Sequence, residues 1–285
     1  MIEVISDINE MRRICEDKRK KGVKIGLVPT MGALHEGHLS LIKCALKKAD
    51  FVVVSIYVNP VQFGPEEDFE KYPRDLERDV RLVDSHCAHV VFAPSDRLMY
   101  HEGYSTYVTV EDLTASLCGR SRPAHFRGVT TVVAKLFNIV RPHVAVFGQK
   151  DAQQLSVIRR MVKDLNMDIE IDAGPIVRES DGLATSSRNK YLNKEEREQA
   201  TVLYRSLEAA KKLVNDDITS SGQIIGKVRK VLEEAPLAKM EYVEIVNFDD
   251  MRQIDDVSNG ALLAIAVWFG ETRLIDNVII SGHGG

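Results

Sequence analysis

The sequence predicts an α/β fold built on a parallel sheet, followed by a smaller α+β unit. Three observations predict it. Short β-branched apolar runs alternate with amphipathic stretches through the first 175 residues. Polar, glycine-bearing segments stand where apolar runs give way to amphipathic ones, as strand–helix turns do. After Gly174 and Pro175 the order changes to helices followed by strands. We therefore expect a Rossmann-like sheet over residues 1–175 and a C-terminal α+β domain over 176–285, with the boundary near 175–190.

Each element follows from its pattern. Residues 24–30 (KIGLVPT) read as a buried strand, and 51–58 (FVVVSIYV) as a central one. Between them, residues 39–49 place Leu41, Ile42, Ala45 and Ala49 at helical spacing. Residues 74–85 form a charged helix with Leu76, Val80 and Val83 inward, and 90–92 a short strand before Pro94. Residues 129–140 (VTTVVAKLFNIV) form a largely buried helix that stops before Pro142. Residues 144–147 are a strand, 152–164 a helix and 168–173 a strand. In the second unit, 194–215 and 223–234 read as two helices. The strands are 241–247, 262–268 and 272–280, and the glycine-rich tail 281–285 reads as frayed.

Composition narrows the class. The 285 residues hold one large or two modest domains at about 150 residues each. Lys and Arg number 38 against 42 Asp and Glu, a net charge of −4, so a general electrostatic grip on nucleic acid is not expected. The longest apolar runs, 51–58 and 261–269, are shorter than the ~18 residues of a membrane helix. The N-terminus carries neither a signal-peptide core nor a transit pattern. Cys15, Cys44, Cys87 and Cys118 are widely spaced without a CxxC pair, which fits a reducing, cytoplasmic setting. Cys44 and Cys87 read as small buried fillers, and Trp268 and Phe269 as core or subunit interface. Residues 16–21 read as a solvated helix face, and His86, His89, His101, His143 and His283 show no partner pattern.

Five segments carry residues with chemistry. The first is 29–38 (PTMGALHEGH), between the first strong strand and the next helix, where ligands of open α/β sheets bind. His35 and His38 stand at the mouth of that helix, whose free N–H groups and dipole favour phosphate. Gly32 and Gly37 let backbone approach a ligand. A capping role for the two imidazoles is the plain alternative, and a metal site lacks a third ligand. The second is 147–151 (FGQKD), which sets Lys150 as a point charge for phosphate and Asp151 as a cap or cation partner. An ordinary strand–helix turn explains it equally well. The third is 181–189 (DGLATSSRN), with two hydroxyls and a guanidinium to grip phosphate, or simply a linker. The fourth, 58–63 (VNPVQF), offers the amides of Asn59 and Gln62 to a hydroxy acid or amine, though Asn-Pro is also a turn signal. The fifth, 121–128 (SRPAHFRG), holds Arg122, His125 and Arg127 in a Pro/Gly-bounded loop. Gln153 and Gln154 open the following helix, where one can face the crevice.

Taken together, PTMGALHEGH, YVNPVQF, SRPAHFRGV, FGQKDAQQ and DGLATSSRN, in that order, resemble the pantoate–β-alanine ligases, the pantothenate synthetase family, over nearly the whole chain. The histidine motif alone is shared with the wider nucleotidyltransferase superfamily. The resemblance implies fusion of pantoate and β-alanine to pantothenate, with ATP giving AMP and pyrophosphate through a pantoyl-adenylate. It implies Mg²⁺ with the ATP, a homodimer, and no nucleic acid or membrane partner. It places Met31, Gly32, Ala33, Leu34, His35, Glu36, Gly37 and His38 on ATP, with His38 as general acid or phosphate stabiliser and His35 as its companion. Gly148, Gln149, Lys150 and Asp151 also contact ATP, Lys150 at the phosphates and with a catalytic role. Val177 lies by the adenine, and Thr185, Ser186, Ser187 and Arg188 close over the triphosphate. Gln62 contacts pantoate and β-alanine with Asn59 beside it, and Gln154 holds pantoate. Arg122 and His125 match a loop near the site or the dimer interface. Gln149 and Thr185 depart from the Glu and the Met or Leu common in the family. The C-terminal domain and residues 181–189 would act as the lid that shields the adenylate from water.

Overall fold

A computed structural model of the chain describes residues 2–65 and 67–281. The His283 reading and residues 282–285 of the tail lie outside them. Six parallel strands form the first sheet: β1 (Glu3–Ile5), β2 (Ile25–Thr30), β3 (Phe51–Ile56), β4 (Val90–Phe92), β5 (Val144–Gly148) and β6 (Glu170–Gly174), in the order β1-β4-β3-β2-β5-β6. The order reverses about β2. Its two neighbours, β3 and β5, are reached by crossovers in opposite directions, so a crevice opens beyond its carboxyl end.

Alternate residues of the central strands feed two cores. Ile25, Leu27, Phe51 and Val53 pack toward α1 (Ile8–Lys20), α6 (His125–Val140) and α7 (Ala152–Asp164). Val28, Val52 and Val54 pack toward α2 (Glu36–Leu46) and α3 (Leu76–Ser85). Burial on both faces is why β2 and β3 read as continuous apolar runs. Two histidines without a pattern in sequence finish strand ends: His143 Nδ1 accepts from the Ile25 amide at 2.8 Å, and His89 Nδ1 from the Val52 amide at 3.0 Å.

The second sheet is antiparallel, with β7 (Ala238–Val246), β8 (Ala261–Phe269) and β9 (Thr272–Ile280) in that order. Gly270, at φ +55°, makes the two-residue β8–β9 hairpin. In β8, Leu263, Ile265, Val267 and Phe269 face α9 (Val202–Asn215) and α10 (Ser221–Leu232). Leu262, Ala264 and Ala266 on its other face join the core beneath the first sheet.

Several elements differ from the sequence reading. α2 begins at Glu36 because His35 caps it, although no apolar period marks that turn. α6 begins at His125 and carries Gly128 inside it. A Cβ on Gly128 would lie 2.5 Å from Gln62 Cα, so this glycine permits close packing and does not end the helix. The helix read over 194–215 is two: α8 (Lys194–Gln199), started by an Asn193–Glu196 capping box, and α9. The break lets Arg197 of α8 pair with Glu179 at 2.6 Å and Asp181 at 2.7 Å. The short helices α4 (Asp96–Met99) and α5 (Leu117–Ser121), like β1, had no reading. Leu76 is 44% exposed and does not face inward. Cys87 is exposed, at φ +60° just beyond α3, and Cys44 is half-buried, so neither is a core filler. Phe269 is core, whereas Trp268 is half-buried with its indole N–H on Glu241 at 2.8 Å. No helix among the described residues is long and apolar enough to cross a membrane.

Candidate active site

The loop after β2 turns through two consecutive left-handed residues, Gly32 (φ +80°) and Ala33 (φ +50°). Asp79 of α3 holds it there. Its carboxylate accepts from the Ala33 amide at 2.8 Å and the Leu34 amide at 2.9 Å, and it is 1% exposed. Burial raises the Asp79 pKa, opposed by those two backbone hydrogen bonds. Arg78 adds a hydrogen bond to the Leu34 carbonyl at 3.2 Å.

The loop delivers His35 to the N-cap of α2, where its Nδ1 accepts from the Gly37 amide at 3.2 Å. That bond leaves the proton on Nε2, so neutral His35 presents a donor. The His38 ring lies 4.1 Å from it, centroid to centroid. Burial and then the Lys150 charge push His35 down to about 4. Burial, then His35, then Lys150, push His38 down to about 3. Both rings are therefore neutral at pH 7. His38 Nδ1 is buried with no partner.

After β3, Gln62 is fixed on three sides. Its carbonyl accepts from His125 Nδ1 at 3.0 Å, its Oε1 accepts from Asn59 Nδ2 at 3.0 Å, and its Nε2 meets Met31 Sδ at 2.9 Å. Asn59 is 1% exposed and bonded throughout: Nδ2 also donates to the Gly128 carbonyl at 3.1 Å, and Oδ1 accepts from Tyr100 at 2.8 Å. Burial and then the Arg122 charge push His125 down to about 4.

After β5, residues Gln149–Asp151 form a 3₁₀ turn that sets Lys150 half-buried. Asn277 of β9 clamps this turn, donating to the Gln149 carbonyl at 3.0 Å and the Lys150 carbonyl at 2.8 Å. The two glutamines of α7 divide. Both line the cavity, but Gln153 is buried with its amide spent on the Cys118 amide and the Leu113 and Ser116 carbonyls, whereas Gln154 is half-buried.

The fourth wall is the segment after β6. The Thr185 amide donates to the Val177 carbonyl at 2.9 Å, closing a small loop whose Arg178 pairs bidentately with Asp276 at 2.6 and 3.0 Å. The Thr185 carbonyl approaches within 4.0 Å of where a Cβ on Gly37 would stand, so this segment touches the histidine loop. Ser186 Oγ accepts from the Arg188 amide, and Tyr72 reaches Ser187 Oγ at 3.5 Å. Arg188 is gripped by Asp68, Nε at 3.1 Å and Nη2 at 2.9 Å.

A cavity of about 1740 Å³ lies between the two sheets, lined by Lys150, Asp151, Gln154, Ser186, Arg188, Arg122 and His125 among others. His35, His38, Asn59 and Gln62 do not line it directly. They sit behind it, the histidines within the field of Lys150 and Gln62 bonded to His125. Among the described residues no group of three His, Cys, Asp or Glu side chains is placed to hold a metal. The sequence reading missed Asp79, Tyr100, Asp68 and Asn277. Only Asp79 carried a signal, an acid four residues before the inward Val83 of α3.

The family model for pantoate–β-alanine ligase matches residues 3–279. The pantothenate synthetase of Acetivibrio thermocellus is 54% identical over 279 residues, covering 98% of this chain and 99% of that one. That of a Thermoanaerobacter species is 55% identical over 276 residues, covering 97% and 98%. Among solved structures, a pantothenate synthetase from Thermus thermophilus superposes with a TM-score of 0.93 at 45% identity, covering 97% of this chain and 99% of that one. The Francisella tularensis pantoate–β-alanine ligase, solved with beta-gamma ATP and beta-alanine, gives 0.80 at 35% identity and covers 98% of each chain. With the motifs, the sheet order and this similarity running the length of the chain, the protein belongs to the pantoate–β-alanine ligase family.

Proposed function

We propose that this chain joins pantoate to β-alanine in the crevice beyond β2, using ATP in two steps. The pantoate carboxylate attacks the α-phosphorus and pyrophosphate leaves, giving a pantoyl-adenylate. The unprotonated amine of β-alanine then attacks the acyl carbon, AMP leaves, and the amine proton passes to solvent. The observation that carries this reading is convergence: His35 and His38, Gln62, and Lys150 follow three adjacent strands at the point where the sheet order reverses.

The first step brings two anions together, so donors and cations must offset the repulsion. Lys150 supplies a charge, His35 a neutral N–H, and the start of α2 its dipole. Met31, Gly32, Ala33, Leu34, Glu36 and Gly37 shape the nucleotide side of that loop. Gly148, Gln149 and Asp151 shape the other. Val177 borders the adenine, and Thr185, Ser186, Ser187 and Arg188 cover the triphosphate. Gln62, steadied by Asn59, and Gln154 hold pantoate. Mg²⁺ would come with the triphosphate and offset its charge, and Asp151 of the Gln149–Asp151 turn is the carboxylate that would help hold it.

Residues 176–285 act as the lid domain over residues 1–175, excluding water from the mixed anhydride. The protein works as a cytoplasmic homodimer. Its four free cysteines suit a reducing compartment.

The test is a product assay with ATP, Mg²⁺, pantoate and β-alanine, omitting each in turn. AMP and pantothenate should form together, in the complete mixture alone, and pyrophosphate should exchange into ATP with pantoate alone. AMP retained in the product, or no product despite ATP binding, would overturn the ligase reading.

A further inference from the structure

The Gly128 carbonyl fixes the polarity of a chain of side chains that ends at the substrate side of Gln62. A carbonyl only accepts, so the Asn59 atom 3.1 Å from it is Nδ2. The other Asn59 atom is then Oδ1, and the Tyr100 hydroxyl 2.8 Å away donates to it. The second Nδ2 hydrogen goes to Gln62 Oε1 at 3.0 Å, which leaves Nε2 turned to the loop after β2. That atom rests on Met31 Sδ, a weak acceptor that a substrate oxygen can displace. Burial pushes the Tyr100 phenol upward, so it stays protonated and remains a donor. Tyr100 sits at the end of α4, outside the residues lining the cavity, with its ring edge-on to Tyr104 at 5.0 Å.

We infer that Tyr100 is a positioning residue for the pantoate site: by donating to Asn59 Oδ1 it reinforces the orientation that Gly128 sets, and so steadies Gln62 with its amide hydrogens available to substrate. Gln62 then offers donors only, and the substrate group it meets is an oxygen, carboxylate or hydroxyl. The inference rests on Gln62 contacting pantoate, as proposed above. Without the Tyr100 donor, Asn59 keeps its bond to Gly128 but loses one of its three anchors, and Gln62 loses a fixed partner.

The experiment is Tyr100→Phe, alone and in a Gln62→Ala background, with KM measured separately for pantoate and ATP. Phe keeps the ring and removes one oxygen, and the thermal midpoint is read alongside. Tyr100→Phe should raise the pantoate KM about fivefold, the scale of one neutral hydrogen bond, and leave the ATP KM unchanged. In Gln62→Ala the substitution should have no further effect on pantoate KM. An unchanged pantoate KM in a folded Tyr100→Phe protein would overturn the inference. So would an equal effect in both backgrounds, the mark of a structural role. If Gln62→Ala itself leaves pantoate KM unchanged, it is the substrate role of Gln62 that fails.

Discussion

Asp68 holds Arg188 through one edge of the guanidinium, with Nε at 3.1 Å on one carboxylate oxygen and Nη2 at 2.9 Å on the other. The same stretch meets that segment at two more points, Tyr72 on Ser187 and Tyr191 on the Lys71 carbonyl, and is tied to the end of α5 by Glu67 with Arg122 Nε at 2.8 Å. An arginine proposed to cover triphosphate is thus already paired, and an incoming anion must displace a carboxylate to reach it.

Asp68→Asn should therefore tighten ATP binding severalfold, because the neutral amide releases the guanidinium. It should also speed proteolytic cleavage in residues 67–72, which lose a bidentate tie to the segment after β6. Calorimetric titration with ATP and timed digestion read the two effects. Weaker ATP binding in this variant would show that Asp68 belongs to the closed site instead of competing with the nucleotide.

Lys150→Ala should lower turnover by about a hundredfold, the scale for losing one preorganised charge stabiliser. The turn itself should hold, since Asn277 grips the carbonyls of Gln149 and Lys150 and not the lysine side chain. A near-normal thermal midpoint with lost pyrophosphate exchange is the expected pair. Because the Lys150 charge also lowers both His35 and His38, their imidazole titrations should move upward in the variant, read by NMR. Near-normal adenylation would remove Lys150 from the first step.

Three half-buried histidines set an acid limit on stability. His35 and His125 titrate near 4 and His38 near 3 when folded, against about 6.5 when unfolded. Between these values the unfolded chain binds protons that the folded chain does not. Stability from these groups is full above about pH 6.5 and falls as pH drops toward 4 and below. Thermal midpoints from pH 8 to pH 4 should decline below pH 6.5. Substituting His125→Gln should flatten part of that decline. An unchanged slope would mean that other groups govern the acid limit.

The strands around the crevice were legible because burial on both faces leaves unbroken apolar runs, as in residues 51–56 of β3. The start of α2 was legible in part: His35 read at the mouth of the helix, with capping as the plain alternative, and it does cap Gly37, but the apolar period begins only at Leu39. The α8–α9 break was hidden since Ala200 and Thr201 fit a helix, and the pull comes from Glu179 and Asp181, distant in sequence. At the candidate site, the residues of the loop after β2 announced themselves through glycines and paired histidines. Their supports did not: Asp68, Tyr100 and Asn277 are single polar residues on other elements, joined to the loops by topology alone.

Asp79 is the sharpest case of such a support, because its position allows two opposite outcomes. Its buried carboxylate lies under the loop proposed to take triphosphate, so charge repulsion alone would make its removal favour ATP. Yet it accepts from the Ala33 and Leu34 amides, and a Cβ on Gly32 would stand 2.9 Å from its Oδ2. Asp79→Ala leaves two buried N–H groups unpaired, at a cost of about 2 kcal/mol. It also frees a turn whose left-handed residues need holding. The second effect should win: Asp79→Ala should raise the ATP KM and lower the thermal midpoint. Asp79→Asn, which keeps one acceptor oxygen, should fall between Ala and the native protein. A lower ATP KM in Asp79→Asn would reverse the ranking and make repulsion the larger effect.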